Sequence, residues 1–242
     1  MTPRRLPPTA PLSALLTLGL LAAVGAALAA QPDAERTARE RVARQNHLKQ
    51  IVLAFHNYES AYGVLPAAGF SSVRQPTPPG GTKPLLSWRV AILTYIESGT
   101  AYREFHQDEP WDSEHNKKLL DRMPKVYEQP GRPAPKGYTY YQVFTGKDTI
   151  FDGGKQLKLV QIPDGLSNTI LVVEGAEAVP WTKPEDIPFT AEGPLPKLPE
   201  EFLVGMCDGS ARYVNRKKVS DQTLRYAIMH NDGQVLGPDW GK

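Results

Sequence analysis

The chain has 242 residues, with 28 Lys+Arg against 26 Asp+Glu, 40% hydrophobic residues, 23 prolines, 20 glycines and one cysteine. One cysteine excludes an internal disulfide framework and a Cys-based zinc site. A net charge of +2 without a dense basic run argues against nucleic acid as the main partner, because phosphate neutralisation needs clustered Lys and Arg. The length fits one domain with a full core and long loops.

Residues 1–29 read as an export signal. Arg4 and Arg5 give a positive start, residues 12–28 are apolar apart from Ser13 and Thr17, and Ala27-Leu28-Ala29 supplies the small-x-small site that signal peptidase reads. Cleavage after Ala29 would place residues 30–242 in the periplasm or outside the cell and, with Arg4 and Arg5 gone, leave the mature chain without net charge. The alternative is an uncleaved anchor, since the apolar run approaches the ~20 residues of a membrane helix. A membrane contact is expected only in that case.

Residues 34–62 predict one long helix. Its first turns are charged (Glu35, Arg36, Arg39, Glu40, Arg41), and Leu48, Ile51, Val52, Phe55, Tyr58 and Tyr62 then recur at three- and four-residue spacing. The first half should be solvated and the second half packed, with Gly63 and Pro66 ending the helix. A loop over 66–84 follows, with Pro-Pro-Gly-Gly at 78–81. Further helices are expected over 88–96 and from an N-cap at Asp112 or Ser113 to a point before Pro124.

Strands are expected over 138–144, 156–162 and 169–174. Residues 180–199 are a proline-rich surface excursion. Residues 202–214 read as a hairpin with a two-residue Asp208-Gly209 turn. That register puts Phe202, Val204 and Met206 on one face with Ala211 and Tyr213, and Cys207 half-buried on the other beside Arg212. A last helix starts at Ser220 with Val219 and Leu224 as a hydrophobic staple, an inner stripe of Leu224, Ala227 and Ile228, and Gly233 to close it. The fold class is α+β: a long N-terminal helix packed on an antiparallel sheet, with proline-rich loops and a short C-terminal helix.

Several blocks in order carry a family resemblance: Ala38-Arg39-Glu40, Leu48-Lys49-Gln50-Ile51, His56-Asn57-Tyr58, Leu86-Ser87-Trp88-Arg89-Val90, Asp164-Gly165-Leu166-Ser167-Asn168-Thr169, Val179-Pro180-Trp181-Thr182-Lys183-Pro184-Glu185-Asp186 and Asp208-Gly209-Ser210. Together they resemble the bacterial domain of unknown function associated with prepilin-type cleavage and a C-terminal H-x9-DG motif. The resemblance implies a pilin-like or pseudopilin-like layout outside the cytoplasm, and no established reaction. Two departures stand out. No prepilin-type start of a hydrophobic helix occurs, which argues against filament assembly, and Leu198 occupies the place of the motif's His.

The candidate chemistry is sparse. Gly165-Leu166-Ser167-Asn168-Thr169 has the look of a nucleophile elbow, but it lacks the final Gly and precedes a strand where an elbow needs a helix. Asp164, Gly165, Ser167, Asn168, Thr169, Trp181, Asp208 and Gly209 are therefore read as structural motif residues, with Asp164 and Asn168 in a self-bonded turn. His106, Asp108, Glu109, Asp112, Glu114 and His115 are the densest metal-capable set, without a fixed geometry. Resemblance to the type II secretion pseudopilins raises calcium, for which Asp208 and Asp232 are the nearest carboxylates, without an EF-hand pattern. No cofactor motif is present.

Three classes of function remain. The first is a non-catalytic extracytoplasmic protein working through surfaces, with envelope proteins as partners. The second is a solute- or glycan-binding module using Tyr138, Tyr140, Tyr141, Trp181 and Phe189. The third is a secreted hydrolase, for which no spacing announces a converging site.

Overall fold

The computed structural model describes residues 13–72, 75–76, 83–96, 100–153 and 155–240, with backbone alone for 13–32, 72, 75–76 and 100. Arg4 and Arg5, the side chains of the apolar run through Ala29, and the Pro-Pro-Gly-Gly run lie outside the described residues. The chain divides into two units, Met1–Arg41 and Val42–Lys242. Helix α1 (Ser13–Tyr62) begins well before the expected residue 34, because the Ala- and Leu-rich run upstream has high helix propensity. In the first unit Arg36 pairs with Glu40 and Arg39 with Glu35 at i,i+4 spacing, solvent-exposed contacts that add little stability.

In the second unit, Leu48, Ile51, Val52, Phe55 and Tyr58 form the buried stripe of α1, whereas Tyr62, expected to continue it, lies in the last turn and is 48% exposed. The helix closes as expected at Gly63, whose φ of +76° suits glycine and whose N–H donates to the Glu59 carbonyl at 2.7 Å. The following loop holds a small antiparallel sheet absent from the sequence reading, made of β1 (Gly69–Ser72), β2 (Gln75–Pro76) and β3 (Leu86–Ser87) in the order β2-β1-β3.

The helix expected over 88–96 is broken into α2 (Trp88–Ala91) and a 3-10 turn (Leu93–Tyr95). The β-branched residues Val90, Ile92 and Thr94 weaken a continuous helix there. A short α3 (Thr100–Arg103) follows. The next helix is also corrected: it is a 3-10 helix over Asn116–Arg122, and Ser113 Oγ accepts the Asn116 N–H at 3.0 Å.

Beyond it come β4 (Tyr138–Gln142), β5 (Phe144–Thr145), β6 (Ile170–Pro180), β7 (Ile187–Pro188), β8 (Glu201–Met206), β9 (Ala211–Asn215) and α4 (Asp221–Ile228). The main sheet is antiparallel in the order β4-β6-β8-β9, while β5 and β7 pair in parallel. The strand expected over 156–162 does not form. Its backbone is held by other partners: the Leu157 carbonyl accepts the Leu65 N–H, and Glu59 Oε1 accepts the Leu159 N–H.

Both faces of the main sheet are buried. Leu171, Val172 and Leu203 pack with the α1 stripe, and Val173, Phe202, Val204, Met206 and Val214 pack with Leu224, Ala227 and Ile228 of α4. Ile170 pairs with Met206 and Val172 with Gly205, so Leu171 is the extra residue of a bulge and shares a core with Val172. The α4 start is as read: Ser220 Oγ accepts the Thr223 N–H at 3.1 Å, and Val219 and Leu224 are buried together. Gly233 lies beyond the helix end and does not cap it.

The hairpin register is shifted by one residue from the expected one. Gly205 pairs with Ala211, the Gly209 N–H donates to the Met206 carbonyl, and only Gly209 of the loop has positive φ, at +89°. The loop is the three-residue form, a type I turn followed by a left-handed glycine. Asp208 favours it by accepting the Ser210 N–H at 2.8 Å. A one-residue slip reverses the faces of β9. Val214 thus joins Phe202, Val204 and Met206, while Ala211 and Tyr213 join Leu203 and Cys207. Cys207 is fully buried rather than half-buried, and that burial pushes its thiol pKa up.

Candidate functional site

The two motif turns are joined to each other and to the C-terminal segment. Asp164 Oδ2 accepts the Asp232 N–H and Oδ1 the Gly233 N–H, both at 2.8 Å. Asn168 Nδ2 donates to the Asp164 carbonyl at 2.9 Å, and Thr169 Oγ1 donates to that of Gly165, whose φ is +94°. The carbonyls of Thr169 and Leu166 accept the N–H groups of Cys207 and Asp208. His56 Nε2, on α1, meets the Cys207 carbonyl at 2.8 Å. Ser167 is exposed at the tip of this turn, and the chain after it enters β6.

Trp181 belongs to a different neighbourhood. Its indole is buried, donates to the Leu120 carbonyl at 3.0 Å and packs against Tyr127 and Phe105. Asp232 has a raised pKa, first through burial and then through the nearby Asp164 carboxylate. The rings of His106 and His115 stack at 3.5 Å, with His106 Nδ1 against Glu109 Oε1. Among the described residues no group of three or more His, Cys, Asp or Glu side chains is placed to hold a metal ion.

Two buried ion pairs escaped the sequence reading. Arg89 Nη2 and Asp186 Oδ1 lie 2.8 Å apart with side chains 0% and 2% exposed. Arg89 also donates to the Tyr141 carbonyl and Ser87 Oγ, and the same Asp186 oxygen accepts from Trp88 Nε1 and the Val143 N–H. Burial raises the Asp186 pKa to about 6, opposed by Arg89. Glu174, 1% exposed, accepts from Arg44 at 3.1 Å and from the Leu203 N–H at 2.8 Å; burial raises its pKa against the pull of Arg44. The available signal was a lone charge inside an apolar run: Arg89 between Trp88 and Val90, and Glu174 after Ile170-Leu171-Val172-Val173.

A cavity adjoins a break in the β4–β6 ladder. Thr139 pairs with Val179 and Tyr141 with Glu174, so residues 175–178 arch away from Tyr140. Arg132 takes over part of the lost pairing by donating to the Gly175 carbonyl at 2.8 Å and to that of Ala176, and its guanidinium covers the Tyr140 ring. Under the arch lies a cavity of about 520 Å³ whose walls include Gln142, Val179, Ile187, Phe189, Pro194 and Pro196. That volume falls in the range of small-molecule sites.

The aromatic residues expected to frame a binding cleft do not do so together. Tyr141, Trp181 and Phe189 are buried. Tyr138 lines a separate groove of about 340 Å³ beside Arg132, whereas Phe189 lines the larger cavity.

No curated protein and no solved structure matches this chain. A family model, SBP_bac_10, described as "Protein of unknown function (DUF1559)", matches residues 36–133. Over that stretch the chain is similar to a bacterial domain of unknown function.

Proposed function

We propose that this is a non-catalytic, pilin-like extracytoplasmic protein that acts through protein–protein surfaces in an envelope or secretion assembly. The observation that supports it is how the motif residues are used. Asp164, Asn168, Thr169 and Asp208 spend their polar groups on neighbouring turns and on the C-terminal segment. They act as devices that hold the fold. A long helix packed on an antiparallel sheet agrees with the pilin-like layout, and the charged first half of the solvated helix favours a protein that does not polymerise. Crosslinking in the native envelope, followed by mass spectrometry of the conjugates, tests the reading. Reproducible recovery of the same envelope proteins is expected, and recovery of the uncrosslinked chain alone counts against it.

A second reading, a solute-binding module, is favoured by the cavity of about 520 Å³ under the β6 arch. Native mass spectrometry of the purified chain after incubation with a cell-envelope extract tests it through a retained small molecule.

A further inference from the structure

We propose that the cavity under the β6 arch binds an apolar primary amine, whose ammonium group donates to Asp186 Oδ2. The inference rests on the solute-binding reading and assigns its chemistry. Asp186 lines the cavity with its side chain 2% exposed, and its two carboxyl oxygens are used unequally. Oδ1 accepts from Arg89 Nη2 at 2.8 Å, from the Val143 N–H at 2.9 Å and from Trp88 Nε1 at 3.2 Å. Among the described residues Oδ2, also withdrawn from solvent, has no hydrogen-bond partner. A buried carboxylate oxygen left unpaired is costly, and the three donors on Oδ1 keep the group from turning to share them. A donor carried in by a ligand completes the set.

The charge of the wall selects the donor. Glu177, Glu185 and Asp186 line the cavity together with Lys197, whereas Lys183 and Arg89, the partners of Glu185 and Asp186, stand outside the lining. The pairs of Glu177 with Lys197 and of Glu185 with Lys183 are open to solvent and worth little, so neither holds its carboxylate against a competing cation. An ammonium group is therefore attracted by the wall, and its hydrogen bond to a carboxylate oxygen is about twice as strong as that of a neutral donor. A carboxylate ligand would be repelled by the same acids. Val179, Ile187, Phe189, Pro194 and Leu195 supply apolar walls for the rest of the molecule. Such a ligand is a free amine with an aliphatic or aromatic body, or the amino terminus of a peptide with an apolar first residue.

The test is titration of the purified chain, by isothermal calorimetry and NMR, with three probes: phenethylamine, leucinamide, which presents a peptide-type amino terminus, and 2-phenylethanol, which keeps a donor and loses the charge. Tighter binding of the first identifies a free-amine source and of the second a peptide source, with the alcohol at least about tenfold weaker than phenethylamine. Burial, opposed by the charge of Arg89, keeps Asp186 protonated up to about pH 6. Phenethylamine, charged throughout this range, should therefore bind about tenfold more tightly at pH 7 than at pH 5. Asp186→Asn should lower the affinity at pH 7 at least about tenfold and flatten that profile. The wild-type comparisons decide the matter even if that variant fails to fold, and nuclear Overhauser contacts from the phenyl protons to the Ile187 methyls are expected. Binding of neither amine at millimolar concentration overturns the proposal. So does equal binding of the alcohol, a wild-type affinity that does not rise with pH, or a retained solute that carries no amine, an outcome that leaves solute binding itself standing.

Discussion

Arg89 and Asp186, 97 residues apart in the chain, meet at 2.8 Å with both side chains withdrawn from solvent. The contact joins α2 to the proline-rich excursion, and through the Val143 N–H and the Tyr141 carbonyl it also fixes the end of β4. Removing one partner leaves the other buried without its counter-charge. Arg89→Met should therefore cost about 3–5 kcal/mol, read by urea denaturation at neutral pH. A cost below 1 kcal/mol would mean that solvent reaches the pair.

The pH dependence of the same pair has a definite sign. Burial raises the Asp186 pKa from 3.8 to about 6, so the folded chain holds a proton that the unfolded chain releases in this window. The stabilisation is fully present below the unfolded pKa and is lost as pH rises through about 6, by about 3 kcal/mol in total. The stability of the wild type relative to Asp186→Asn should therefore fall between pH 4 and pH 7. A relative stability that rises over this range would show that Arg89, not burial, controls the carboxyl.

Gly205 sets how closely α1 approaches the sheet. A Cβ there would stand 2.7 Å from Val52 Cγ2, inside any real contact distance. Gly205→Ala should cost about 1–3 kcal/mol by overpacking. Val52→Ala in the same background should recover part of that loss, and a double-mutant cycle measures the coupling. Strict additivity would place the strain elsewhere.

Export is tested by intact mass. The Arg4-Arg5 start and the Ala27-Leu28-Ala29 site predict a mature chain beginning at Ala30. A mass that retains residues 1–29 would mean a membrane anchor.

What was legible in the sequence was local. The α1 stripe as far as Tyr58, its stop at Gly63, the Ser220 cap and the buried β6 run each depend on spacing or on one residue's chemistry, and each is where the pattern put it. What failed depended on partners distant in the chain. The hairpin register turned on whether Asp208 adopts positive φ, and its side-chain bond to Ser210 decided against it. Residues 156–162 alternate like a strand but have their backbone bonds claimed by Leu65 and Glu59. The arch in β6 comes from a break in its pairing with β4 that the even apolar run did not mark.

The motif turns give the last prediction, which separates a structural role from a catalytic one. Gly209→Val forces a β-branched residue to a φ of +89°, at a cost of about 1–3 kcal/mol. Asp164→Ala strips the acceptor from the Asp232 and Gly233 N–H groups and should cost about 1–3 kcal/mol. Asn168→Ala loses one bond to the Asp164 carbonyl, about 0.5–2 kcal/mol. Ser167→Ala should be the mildest, because that side chain is exposed at the tip of the turn. Thermal melts of the four variants give the order, and a screen with generic ester, peptide and glycoside substrates runs beside them. Under a hydrolase mechanism the order would invert: Ser167→Ala would abolish turnover while its melting temperature stayed at the wild-type value. Wild-type turnover lost only in Ser167→Ala would overturn the non-catalytic assignment.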